Sequence, residues 1–127
     1  MPCVLLYFQS ESENMSTLTN IEKVKLESMF KSPAGAGYVM DFSNPAFHDF
    51  IFTSTKKDIA NDTYATYGES KAKRLRAFWE IESDSIVGKL TAEMLEYWKT
   101  KKQINQEAIA DYEKALFKEC EIIVARL

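Results

Sequence analysis

Histidine is nearly absent from this 127-residue chain, and His48 is the only one. A lone imidazole makes a poor general base without a group to orient it, and the adjacent Asp49 points another way on a helix. Surface or capping duty is therefore the expected role of His48. Helical RNase modules rely on an arginine followed closely by histidine, and none follows Arg74, Arg76 or Arg126. Cysteine is equally scarce. Cys3 and Cys120 have no metal-ligand spacing and no triad partner, which disfavours zinc and cysteine-nucleophile chemistry. Two cysteines so placed fit a reducing, cytoplasmic setting. No apolar run approaches the roughly 20 residues that span a bilayer, so no membrane partner is expected. Val4 to Phe8 is too short for a secretory core and lacks a basic flank.

The remaining composition is ordinary. Apolar residues make up 46% of the chain and charged residues 28%, the balance of a soluble globular domain. At this length one domain can bury a core without staples. A net charge of −3 does not suit a molecule that coats nucleic acid, although one local basic face is left open.

Residues 1–14 are set aside as a tail or tag-derived segment. Leu6-Tyr7-Phe8-Gln9-Ser10 is similar to the end of an engineered protease site, with Val4 where such a site carries glutamate. A single helical domain is expected over 15–127. Thr19 and Glu22 form the pattern of a capping box, and Ile21, Lys25, Leu26 and Met29 follow at helical spacing. Ser32 to Gly37, with one proline and two glycines, stops this helix. No lysine or serine follows those glycines at the phosphate-loop spacing, so a flexible connection is expected there. Tyr38 to Phe42 reads as a short extended segment. Ser43-Asn44-Pro45 starts a second helix, with Pro45 where its missing N–H costs nothing and Phe47, Phe50 and Ile51 on one side.

The third helix begins after Gly68, capped by Ser70. Ala72, Leu75, Phe78 and Trp79 share one face, while Lys71, Lys73, Arg74 and Arg76 ring the rest. Ser83 caps a fourth helix with Ile86, Val87, Leu90, Met94, Tyr97 and Trp98 in one stripe. Gly88 inside it implies a close helix approach, and Lys99 to Gln103 reads as a basic break. A fifth helix is expected from about Asn105 to the end, with Ile109, Tyr112, Leu116, Cys120, Ile123 and Leu127 near one face. The chain reaches Leu127 without a glycine, proline or polar tail, so the natural protein is expected to continue. The fold class that follows is all-α, a compact bundle of about five helices with one short extended segment near 38–42.

Asp41-Phe42-Ser43-Asn44, Tyr67-Gly68-Glu69-Ser70-Lys71, Arg74-Leu75-Arg76-Ala77-Phe78-Trp79 and Val87-Gly88-Lys89-Leu90 occur in one order and spacing. Thr19-Asn20-Ile21-Glu22-Lys23 and Leu95-Glu96-Tyr97-Trp98 accompany them. In this the chain resembles the AbiJ N-terminal domain group over roughly residues 17–99 and on towards the end. It departs at Tyr67 to Ser70, where members often carry more small residues. The resemblance implies an N-terminal module of a bacterial abortive-infection protein, coupled to a separate effector in defence against phage. It implies context and no catalytic residues.

Two readings of the residues after Gly68 compete. Arg74 and Arg76 lie about 200° apart on a helix and cannot serve one face. One of them is expected to pair bidentately with Asp41 and brace the Asp41–Asn44 turn against the third helix. The other reading is a small-ligand pocket lined by Asp41, Asn44, Tyr67, Lys71 and Arg74. A basic face with Tyr64, Tyr67 and Trp79 as stacking platforms would bind nucleic acid or a nucleotide. Glu69, Glu80 and Glu82 close by point instead to a solvated, mixed-charge helix. Surplus apolar surface on the fifth helix, at Tyr112, Leu116 and Ile123, marks a contact with a downstream effector domain, a partner protein or a second copy. The expected function is a sensing or regulatory interaction module without catalysis, cofactor or metal.

Overall fold

Local capping sets the start of nearly every element. The computed structural model describes residues 15–32, Gly35 and 37–127; residues 1–14, Cys3 among them, and three positions of the Ser32–Gly37 turn lie outside the described residues. Helix α1 spans Asn20–Met29 behind Thr19, whose hydroxyl accepts from the Glu22 N–H while the Glu22 carboxylate accepts from the Thr19 N–H. Helix α2 spans Asn44–Thr55 behind Ser43, with proline in its first turn, and stops at Lys56 in a left-handed conformation (φ 64). A single 3₁₀ turn, Asp62–Tyr64, follows. Helix α3 (Lys71–Ile81) begins behind Ser70 and α4 (Asp84–Ile104) behind Ser83, each serine accepting from the N–H three residues on. Helix α5 (Asp111–Arg126) starts at Ala110 without a side-chain cap; the Glu113 carboxylate accepts from the Ala110 N–H at 3.0 Å. These are the five α-helices of the described residues, and no strand accompanies them.

Four boundaries and faces differ from the sequence expectation. The segment near 38–42 pairs only through one antiparallel bridge, Lys31 to Val39, and Met40 breaks it with φ 46. Lys99 to Gln103 is helical rather than a break. Long unbranched side chains are good helix formers, and Lys101 and Lys102 sit favourably at the negative end of the helix dipole. The turn comes later, where Gln106 takes φ 56, so α5 starts at Asp111 and Ile109 precedes it. Ile21 is 69% exposed, because the buried face of α1 centres between Leu26 and Met29, about 110° around the helix.

The helices close on one apolar core containing Leu26, Phe47, Ile51, Phe78, Leu90 and Met94. The segment between α1 and α2 is anchored there by Phe42, whose ring stacks on Tyr97 at 4.7 Å and meets Phe50 at 5.2 Å and Phe47 at 5.9 Å. Helix α1 lies beside α5 in antiparallel sense, fastened by Lys25–Glu119 at 3.2 Å and by Arg126 on Glu22. Gly88 gives the close approach its position implies: a Cβ there would stand 3.0 Å from the Leu127 Cβ.

Phe42 has only short local structure around it and is buried by α2 and α4. Phe42→Ala is expected to lower unfolding free energy by about 3 kcal/mol, at the lower end for aromatic truncation in a core. Urea denaturation of the two proteins measures it.

Candidate functional site

The residues that follow Gly68 form a brace. Gly68 adopts φ 136, which disfavours any side chain, and a Cβ there would meet the Lys73 Cδ at 2.8 Å. This turn lets Arg74 fold back under the preceding loop. Its Nη1 donates to the carbonyls of Ile59 at 3.0 Å and Asn61 at 3.1 Å, and its Nε to the carbonyl of Glu69 at 3.3 Å. Arg74 is buried, and no carboxylate pairs with it among the described residues. Its charge is accommodated by backbone dipoles, which suits a delocalised and weakly hydrated guanidinium. The loop gains a donor for the carbonyls of Ile59 and Glu69, while that of Asn61 also accepts from the Tyr64 N–H at 3.0 Å.

The expected pairing with Asp41 is therefore corrected. Arg74 holds the 59–69 loop, and Arg76 on the opposite side reaches Glu27 of α1 at 2.5 Å. Asp41 takes the Tyr97 hydroxyl at 2.6 Å and Lys101 at 3.2 Å. The physical reason is direction: the Asp41 turn is drawn to α4 by Phe42 stacking on Tyr97, away from either arginine. Burial disfavours the charged form of Asp41, but the bonds from Tyr97 and Lys101 outweigh it and hold the carboxyl below its usual range. Burial and the same carboxylate push Tyr97 up to about 12.

Of the residues expected to gather, only some meet. Lys71 is buried against expectation for a rim lysine. Its Nζ donates to Asn44 Oδ1 at 3.1 Å and lies 4.6 Å from the Tyr38 ring centre. Tyr67 stands apart, its hydroxyl donating to Glu80, which also accepts from Lys23 at 3.3 Å. Trp79 is 1% exposed; its carbonyl accepts from the Ser16 hydroxyl, while its indole Nε1–H is buried with no acceptor among the described residues. Of Asp41, Asn44, Tyr67, Lys71 and Arg74, only Asp41 lines either of the two hollows described below.

Glu82 departs from the solvated, mixed-charge face expected for it. It is buried at the end of α3, accepts from the Tyr64 hydroxyl at 2.6 Å and pairs with Lys57 at 3.4 Å. Burial and this carboxylate raise the Tyr64 phenol. Nothing local in the sequence announces the pair, whose members lie 18 positions apart. Cys120 is buried, and its thiol is pushed up to about 11, the opposite of an activated nucleophile. The described residues hold no group of three or more His, Cys, Asp or Glu placed to bind a metal ion.

Two hollows open on the described surface, and only the first borders α3. One, about 470 Å³, lies between the end of α1 and the flank of α3, with Trp79, Leu75 and Phe30 in its wall. The other, about 810 Å³, lies between α4 and α5, with Trp98, Tyr112 and Leu116. Tyr112 is 71% exposed, whereas Ile123 is buried in the core and unavailable to a partner. Exposed apolar side chains on α1 and α5 include Ile21, Val24 and Ile122, and Phe52 of α2 and Ile104 of α4 are exposed elsewhere. No family model, curated protein or solved structure matches the chain.

Two outcomes follow. Arg74→Lys keeps the charge but loses the fork that serves three carbonyls, and is expected to cost about 2 kcal/mol in urea unfolding, within the range for hydrogen bonds to charged groups. Asp41 titrates below its unfolded value, so its contribution is complete above about pH 4 and is lost as pH falls through the lower folded value. Asp41→Asn is therefore expected to lose less stability than the parent between pH 6 and pH 3, read from thermal midpoints.

Proposed function

We propose that this chain is a non-catalytic sensing or regulatory module that works by protein contact, coupled to an effector in bacterial defence against phage. The defence context is taken from the AbiJ-like motifs. The contact reading is carried by one observation: Ile21, Val24 and Ile122 are each more than 60% exposed on helices that pack side by side. Tyr112 and Leu116 line the hollow between α4 and α5 instead, Leu116 packed against the core. No helix among the described residues is long and apolar enough to cross a membrane, and a cytoplasmic setting belongs to the same proposal.

Recognition of nucleic acid by the basic face of α3 is the weaker reading. Lys71 is engaged with Asn44 and Tyr38, Arg74 with backbone carbonyls and Arg76 with Glu27. Lys73 alone of the four stands without a partner among the described residues. One free lysine supplies little of the counterion release on which such binding depends.

Ile21→Glu combined with Ile122→Glu tests the contact. Both side chains face solvent, so the circular dichroism spectrum and thermal midpoint are expected to stay within error of the parent. In cells carrying the complete gene, protection measured by phage plaque counts is expected to fall at least about tenfold, as for loss of a contact worth ~1.4 kcal/mol. Full protection by the double variant defeats the proposal.

A further inference from the structure

We propose that α5 is an exchangeable helix: released from its own α1 and α4, it joins α4 in one continuous helix and fills the same groove on a second copy of this chain, which returns its own α5. The turn that keeps the two helices apart is poorly matched to its sequence. The N–H of Glu107 donates to the Lys102 carbonyl at 2.9 Å and that of Gln106 to the Gln103 carbonyl at 3.1 Å. This is the helix stop whose left-handed position glycine usually fills. Here Gln106 holds that position with φ 56, a conformation that a Cβ makes unfavourable. No glycine or proline occurs between Lys89 and Leu127. Gln106, Glu107, Ala108 and Ala110 are instead of helix-favouring types. Helix α5 also starts at Ala110 without a side-chain cap.

The second observation is the phase of the sequence across the turn. Trp98, Lys101, Asn105, Ile109, Tyr112 and Leu116 follow one another at intervals of three or four, the spacing of one helical face. Trp98 and Leu116 stand about five full turns apart on that face. The core-facing sides of α4 and α5 therefore share one side of an unbroken helix, a register that a folded-back pair does not require. Exchange gives up no native contact outside the turn. Cys120 and Ile123 of α5 are buried again, and the Lys25–Glu119, Arg126–Glu22 and Lys102–Glu113 pairs re-form between chains. Two terms differ between the states: straightening relieves Gln106, and association costs entropy. A short hinge under strain favours such a swap. In the dimer the two long helices run antiparallel and cross at 105–110.

The exchange does not use the exposed contact at Ile21, Val24 and Ile122, and its test has a different readout. Equal amounts of ¹⁴N and ¹⁵N full chain are mixed in urea, refolded together at about 0.5 mM, where mass action favours association, and separated by gel filtration. A carbodiimide, which joins amine to carboxylate without a spacer, then links Lys25 to Glu119 and Lys102 to Glu113, and the linked peptides are weighed by mass spectrometry. Mixed-isotope links are expected in the dimer and single-isotope links alone in the monomer. Gln106→Gly suits the left-handed turn and weakens the joined helix, so it is expected to weaken dimerisation at least about tenfold in sedimentation equilibrium. Gln106→Ala favours the joined helix and is expected to strengthen dimerisation roughly threefold. Ile21→Glu combined with Ile122→Glu is expected to leave it unchanged. The proposal is overturned if the refolded chain is wholly monomeric, if the dimer gives only single-isotope links, if Gln106→Gly dimerises as the parent does, or if the Ile21→Glu, Ile122→Glu variant loses the dimer.

Discussion

A guanidinium held by three backbone carbonyls is the constraint on which the rest of the molecule depends. Arg74 is taken out of water with no carboxylate to meet it among the described residues. Burying an unpaired ion is strongly unfavourable unless fixed dipoles replace its hydration. The carbonyls of Ile59, Asn61 and Glu69 do so only if the loop closes around the first turn of α3. Loop and helix are thus ordered together. Ile59, buried beside the arginine, and Tyr64, tilted against Phe78 at 5.4 Å, add apolar contact to the same joint.

The brace is extended by linkages that radiate from α3. Gly37 offers its carbonyl to the N–H of Ala72 at 3.0 Å, satisfying a first-turn donor that the helix cannot serve itself. Lys71 ties α3 to the start of α2, and Arg76 ties it to α1. Helix α3 thereby positions one wall of the smaller hollow. The α4–α5 pair belongs to a second joint, centred on Gly88 against Leu127 and on Trp98 against Phe117 at 5.6 Å. The exposed apolar residues of α1 and α5 lie outside both joints, so they are free of the stabilising contacts.

Only part of the site was legible in advance. That the arginines after Gly68 would brace the architecture follows from their opposite directions on a helix. Their partners do not. Arg74 finds backbone 15 positions away, Arg76 finds Glu27 49 away, and Asp41 finds Tyr97 56 away. Carboxylates and carbonyls are abundant, and charge alone cannot choose among them. Phe42 made the choice for Asp41 by docking on Tyr97, an apolar event with an electrostatic consequence. Likewise Ile21 and Ile123 are equally apolar as letters, yet one is 69% exposed and the other 5%.

The residue order alone settled where four of the five helices begin, since Thr19, Ser43, Ser70 and Ser83 each cap within three positions. It also settled the all-α class, because the apolar spacing is helical and glycine and proline are few. Such effects are short-ranged and survive any tertiary arrangement. Tertiary packing decided the rest: the burial of Lys71, Arg74 and Trp79, the partner of every bracing side chain and the loss of Ile123 to the core. Those outcomes depend on which surfaces meet, and surfaces meet only after distant segments compete for the same apolar contacts.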